Sequence, residues 1–206
     1  MTSERVAGGV AGNGAHRESR YELILNTAAE LIYQRGYHAV TMRELAKAVG
    51  IKMPSVYHHF VSKEQILYAL AHRTMVDLIA NTNEELSKVD GGSVVERMAK
   101  AIRVGVRFHV LRQIEAGVVL SEVRNLSGEF AVEVRQLMRD YENIFRDLIV
   151  RGMGDGTFAR NDPTMATYIV MSSLTRISVW YRRHGRLTVD DIEEQYSSLL
   201  VDMLRP

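Results

Sequence analysis

Apolar side chains recur every three or four residues through almost the whole of this 206-residue chain, and the recurrence breaks only at capping residues and glycines. That period belongs to helices with one buried face, and it leaves no alternating run for a half-buried strand. The first helix spans Arg17 to Arg35, repeats apolar side chains at Tyr21, Ile24, Leu25, Ala28, Leu31 and Ile32, and ends at Gly36. Thr41 followed by Glu44 is a capping box that opens a second helix running to Gly50. A short third helix starts at Pro54, whose missing N–H suits a first helical turn. Ser62 and Gln65 open a long fourth helix that persists to about Leu86, before Gly91 and Gly92 break the chain.

Further helices are expected over Val94 to Leu111, Ile114 to Asn125 and Gly128 to Arg151, where the glycines of "RGMGDGTF" force a turn. Asp162 and Pro163 begin an eighth helix, apolar on several sides, and Thr188 a ninth. The expectation is an all-α chain of nine helices. Residues 1–15 carry Gly8, Gly9, Gly12 and Gly14 and few large apolar groups, so they read as a disordered arm.

Composition removes several classes of function. No cysteine is present, which excludes disulfides, thiolate nucleophiles and cysteine-ligated metal centres. Neither an 18-residue apolar window nor the apolar segment of a signal peptide appears, which points to a cytoplasmic protein without a membrane partner. No G-x-S-x-G elbow organises the Ser, His and acidic residues, so no enzyme is expected. His58 and His59 are adjacent, and neighbours on a helix point about 100° apart, so the pair does not chelate one metal ion. No cofactor is implied.

Net charge is only +1, but it is unevenly distributed. From His16 to Arg73 eight basic residues face five acidic ones, and five of the seven histidines lie there. The remainder, Glu4 and Arg5 aside, carries seventeen basic and nineteen acidic residues. A basic head on a slightly acidic body suits a nucleic-acid contact at the head. Two short helices joined at Gly50 and preceded by a longer one have the order of a helix-turn-helix, whose second helix enters the major groove. Val56 and Phe60 share its core face, while Ser55, Tyr57, His58 and His59 spread over the rest. Lys52 and Lys63 bracket it as phosphate anchors.

The stretch "TMRELAKAVGIKMPSVYHHFVSKEQIL" resembles the DNA-binding signature of the TetR family of bacterial repressors, from Thr41 through Gly50 and the Tyr57/Phe60 pair to Ser62, Lys63 and Glu64. The resemblance implies a DNA-binding domain over 18–78, with its helix-turn-helix at 41–60, and a ligand-binding and dimerisation domain over 79–206. It adds Thr41, Met42, Arg43 and Met53 to the DNA contacts, with Met53 and Val56 suited to thymine methyl groups. The partners it implies are double-stranded operator DNA, a second copy of the chain and a small-molecule inducer. Two-fold symmetry doubles the bases read when half-sites lie ~34 to 36 Å apart or multiples of it. A seam of the last two helices supplies the symmetry through Leu174, Ile177, Tyr181, Ile192, Tyr196, Leu199 and Met203.

In the family the fifth, seventh and eighth helices surround the ligand, which implicates Phe108, Tyr141, Phe145, Tyr168, Met171, Thr175 and Trp180. Aromatic and methionine residues at helical spacing serve equally as core. Arg103, Arg107 and Arg176 sit among apolar neighbours, placed to neutralise an anionic ligand or to form salt bridges. The tail "ISVWYRRHGRLTVDDIEEQY" is similar to that of actinobacterial and bacillar regulators of lipid or steroid catabolism that respond to acyl-CoA thioesters. The alternative is a helix-turn-helix protein or activator with no inducer, and the large C-terminal half, unnecessary for DNA binding alone, argues against it.

Overall fold

The computed structural model describes residues 19–206, and the arm expected over 1–15 lies outside the described residues. Nine α-helices and no strand are found among the described residues. The first three are α1 (Arg20–Arg35), α2 (Met42–Val49) and α3 (Met53–His59). Helix α1 starts later than expected because the Ser19 hydroxyl caps it, accepting from the Glu22 amide. The capping box at α2 forms in full: Thr41 accepts from the Glu44 amide, and the Glu44 carboxylate accepts from the Thr41 amide at 2.9 Å. These bonds hold the Glu44 carboxyl below its ordinary range. Gly50 ends α2 at φ 76°, a left-handed conformation that glycine takes without a Cβ clash.

Helix α4 (Lys63–Ser87) runs from the head into the body, followed by α5 (Val94–Leu111) and α6 (Gln113–Glu122), the latter ending in a 3-10 turn over Val123–Asn125. Helices α7 (Gly128–Asp155), α8 (Pro163–Trp180) and α9 (Val189–Leu204) complete the body. The centre is α5, which touches α4, α6, α7, α8 and α9 and buries Met98, Ala101, Ile102 and Val106 completely. It approaches its neighbours closely because residue 105 is glycine: a Cβ there would lie 3.0 Å from both the Tyr141 hydroxyl and a Leu174 methyl.

The seventh helix does not stop at Arg151. It continues through Gly152 and Gly154 to Asp155 and is closed by Gly156 at φ 80°. Phe158 folds back so that its ring seats on Gly152, where an added Cβ would lie 2.2 Å from Cδ2. Glycine in that helical turn makes room for a buried ring rather than breaking the helix.

Polar bonds tie α4 to both ends of the molecule. Arg73 pairs with Glu22 of α1 and donates to Asn26 at 3.1 Å, while Glu64 accepts from the Ser127 amide and hydroxyl at 2.7 Å. Tyr68 donates to Glu133 of α7 at 2.5 Å, a bond that pushes the phenol up to about 12, and its ring stacks on Phe130. Any displacement of α4 is therefore felt by α1 and by the start of α7.

Candidate nucleic-acid interface and ligand site

The head presents α3 by burying one side of it. Val56 and Phe60, one turn apart, are sealed in the core, and Phe60 stacks on Tyr21 of α1 at 4.8 Å between ring centroids. The opposite side is left outward: Tyr57 is 48% exposed and His58 is exposed, with Ser55 and His59 half-buried beside them. Thr41, Arg43 and Lys52 are exposed at the adjoining end of α2 and the turn into α3. Met42 and Met53 rest partly against the core, so each offers only part of its side chain. Val56 offers none, and the expected thymine contact there is corrected by its complete burial.

Lys63 also departs from expectation. Its ammonium turns inward and donates to the Tyr37 carbonyl at 2.7 Å and the Val40 carbonyl at 2.8 Å, 4.2 Å from the Tyr37 ring centre. Burial lowers its pKa. The cation is a strut for the turn between α1 and α2, with two of its three N–H donors taken by backbone oxygens. The outward cations around α3 are Arg43, Lys52 and Lys47, the last missed by the sequence reading although it lies one turn beyond Arg43.

In the body a chamber of about 220 Å³ opens between α4, α5, α6, α7 and α8. Five of the expected ligand residues meet there: Phe108, Tyr141, Tyr168, Met171 and Thr175. Phe145 does not, being fully buried beside Tyr141 in the core, and Trp180 lies on the outer surface stacked on Tyr196. Missed were Thr74, Met75 and Leu78 of α4, and His109. His109 is 6% exposed, and neither ring nitrogen has a hydrogen-bond partner. Desolvation pushes its pKa down to about 4, so the ring is neutral at physiological pH. A lone histidine between Phe108 and Val110 was the available signal.

The expected arginines are not in this chamber. Arg103 and Arg107 line a separate cleft of about 640 Å³ with Lys100, Arg112, Glu84, Glu85 and Glu193, and Phe108 borders both spaces. Each cation is already engaged: Arg107 with Asp190 at 3.1 Å and Glu193 at 2.6 Å, Lys100 with Glu85 at 3.1 Å, and Arg103 with the Ser197 hydroxyl at 3.2 Å. Arg112 pairs with Glu115 at 2.8 Å. Arg176 is exposed and borders neither space.

The expected seam divides in two. Leu174, Ile177, Tyr181 and Ile192 point into their own chain and are buried there, because α8 packs on α5, α6 and α7 and α9 packs on α5. Leu199 is 67% exposed and Met203 41%, with Tyr196 half-buried, and the outward face of α8 adds Met165, Ile169 and Trp180. Exposed apolar side chains on α8 and α9 make this side of the body a candidate interaction site.

Residues 24–70 match the profile of bacterial regulatory proteins of the tetR family, and residues 91–204 that of the tetracyclin repressor-like C-terminal domain. The chain is 27% identical over 199 residues to the HTH-type transcriptional repressor KstR2 of Rhodococcus jostii (strain RHA1), covering 94% of this chain and 95% of that protein. A tetR-family regulatory protein from Rhodococcus RHA1 has the same fold, with a TM-score of 0.83 at 24% identity, over 91% of this chain and 97% of that one. AibR, solved in complex with isovaleryl coenzyme A and operator DNA, superimposes with a TM-score of 0.76 at 30% identity, over 91% of this chain and 99% of its own. None of the described helices is long and apolar enough to cross a membrane.

Proposed function

The chain belongs to the TetR family of bacterial regulators and is a DNA-binding transcriptional repressor of that type, and from that premise we propose that it grips a two-fold operator as a dimer and releases it when a small molecule enters the chamber. The observation that carries the reading is the two-sided α3, locked by Val56 and Phe60 while Tyr57 and His58 face outward between Arg43 and Lys52. The cations hold phosphates and set the register, and Ser55, Tyr57, His58 and His59 meet base edges. Dimerisation uses the outward apolar side chains of α8 and α9, Leu199 and Met203 among them.

Helix α4 links the two events. Thr74, Met75 and Leu78 form one wall of the chamber, and Lys63, about three to four turns away on the same rigid rod, fixes the turn that orients α2 and α3. A ligand that fits only when this wall moves binds the displaced conformer better and shifts the population toward it, changing the separation of the two α3 helices. The inducer class is an acyl-CoA or another lipid-derived compound. Three features support it: the isovaleryl coenzyme A complex of AibR, the apolar chamber for an acyl chain, and the neighbouring cleft whose Lys100, Arg103, Arg107 and Arg112 suit a phosphorylated moiety. Lys100, Arg107 and Arg112 must exchange their present carboxylate partners, and Arg103 the Ser197 hydroxyl, for phosphate.

The test begins with selection of bound duplexes from a random pool, which should enrich an inverted repeat. Fluorescence anisotropy on that duplex then reads release by isovaleryl-CoA and longer acyl-CoA thioesters. A pool without two-fold symmetry removes the dimeric-operator reading; a complex indifferent to every thioester removes the acyl-CoA reading alone.

A further inference from the structure

The surface of the chamber is mostly hydrocarbon, much of it from Met75, Leu78, Ala116, Val119 and Met171, with Thr74, Glu142, Tyr168, Ser172 and Thr175 also on its wall, and two of its residues, His109 and Tyr141, hold buried polar atoms with no hydrogen-bond partner. His109 projects from α5 with both ring nitrogens buried and unpartnered. The Tyr141 hydroxyl of α7 is likewise buried without a well-formed hydrogen bond, although the Thr82 hydroxyl, which itself donates to the Leu78 carbonyl at 2.7 Å, lies near it. Buried polar atoms in folded proteins are almost always paired, and an unpaired one is destabilising where a phenyl ring of similar shape would not be. Three such atoms, on two residues of one chamber, are therefore held for a partner that arrives from outside the chain.

Their chemistry defines that partner. Neutral imidazole offers one N–H donor and one acceptor, and a buried phenol offers a donor and an acceptor. An anion would demand imidazolium in a low-dielectric site, where the charged ring is disfavoured. A single uncharged oxygen offers each group one bond and leaves one imidazole nitrogen over: a ketone accepts from each, and an alcohol donates to one while accepting from the other.

We propose that His109, backed by Tyr141, is the specificity-determining pair of the chamber and recognises a ketone or alcohol oxygen on the otherwise hydrocarbon part of the ligand that the chamber encloses. The inference rests on the chamber being the inducer site. In this conformer the polar atoms are covered by neighbouring side chains, so pairing accompanies a widening of the chamber. A ligand carrying the oxygen gains hydrogen bonds available only in the widened form and shifts the population toward it. A hydrocarbon of the same shape lacks that differential affinity.

The experiment uses the full-length protein and three matched probes, propiophenone, 1-phenyl-1-propanol and propylbenzene, measured by displacement of N-phenyl-1-naphthylamine and by the imidazole ¹⁵N shifts of histidine-labelled protein. The ketone or the alcohol should bind at least about ten-fold more tightly than propylbenzene, as expected where a site's polar groups go unpaired with the hydrocarbon, and should move the His109 shifts. In His109→Phe that preference should vanish while propylbenzene binding persists, which also reports an intact chamber; Tyr141→Phe should reduce the preference only in part. Equal binding of all three probes to the wild type, or a preference that survives in His109→Phe, overturns the pair and leaves the chamber standing. Binding of no probe overturns the chamber reading together with this one.

Discussion

His109 makes a quantitative prediction about acid stability. In the unfolded chain its pKa is about 6.5, whereas burial in the fold pushes it down to about 4. Between those values the unfolded chain binds a proton that the folded chain refuses, so folding free energy is lost as pH falls from about 6.5 toward 4. At pH 5 the loss from this one ring is about 2 kcal/mol by proton linkage. The carboxyls held low by their hydrogen bonds, Glu44, Glu85, Glu96, Asp155 and Asp191, lose their contribution only below the ordinary carboxylate range and leave the interval from pH 6.5 to 5 clear.

The perturbation is His109→Phe, which fills a similar volume without a titrating group. Urea unfolding at fixed protomer concentration, at pH 7.5, 6.5, 5.5 and 5.0, gives the stability of each protein. Six other histidines are common to both chains and cancel in the difference. Whatever offset the phenyl ring introduces at pH 7.5, the variant should gain about 2 kcal/mol on the wild type by pH 5. Wild type and variant losing stability in parallel over that interval would refute the reasoning, because it would mean the imidazole is protonated as easily in the fold as out of it.

Lys63→Met should lower stability by about 1–2 kcal/mol, the worth of charge-assisted bonds to backbone carbonyls, and leave the salt slope of operator binding unchanged in a fluorescence titration. Arg43→Ala and Lys52→Ala should each flatten that slope by about one and weaken all duplexes alike, whereas Tyr57→Ala should narrow the gap between operator and random DNA. Gly152→Ala should lower stability by about 1–3 kcal/mol, measured by urea unfolding, since its Cβ meets the Phe158 ring. Leu199→Glu combined with Met203→Glu should leave the helical circular dichroism intact and convert a dimer to a monomer in sedimentation; a dimer that persists excludes that face.

What could be read in the sequence was what neighbours along the chain decide. Thr41 with Glu44 and Ser62 with Gln65 announce helix starts because a cap joins residues three apart; the first closes reciprocally, whereas Ser62 accepts from the Gln65 amide while the Gln65 side chain accepts from the Val61 amide instead. Contacts between residues distant in sequence were hidden. Lys63 beside the recognition helix has the composition of a phosphate anchor, and only the fold of the turn 23 to 26 residues earlier reveals the carbonyls that claim it. An apolar stripe says that something covers it, not what: on α9 the same period places Ile192 against α5 and Leu199 in solvent. Gly152 reads as a breaker until Phe158 is seen to need the space.

The same limit explains why α4 carries more of the function than its sequence advertised. Its apolar residues look like ordinary core, yet Ile66, Leu67 and Leu70 are buried toward the head while Thr74, Met75 and Leu78 wall the chamber. From Lys63 to Met75 is about 18 Å along the axis at 1.5 Å per residue, so one rod reaches from the turn that sets α3 to the cavity. Because Arg73, Tyr68 and Glu64 bind it to α1 and α7 along that length, it cannot slide without exchanging partners. A packed, hydrogen-bonded element of this kind has a few discrete positions rather than a continuum, and that is what lets a modest widening around His109 be read at the recognition helix as a change of state.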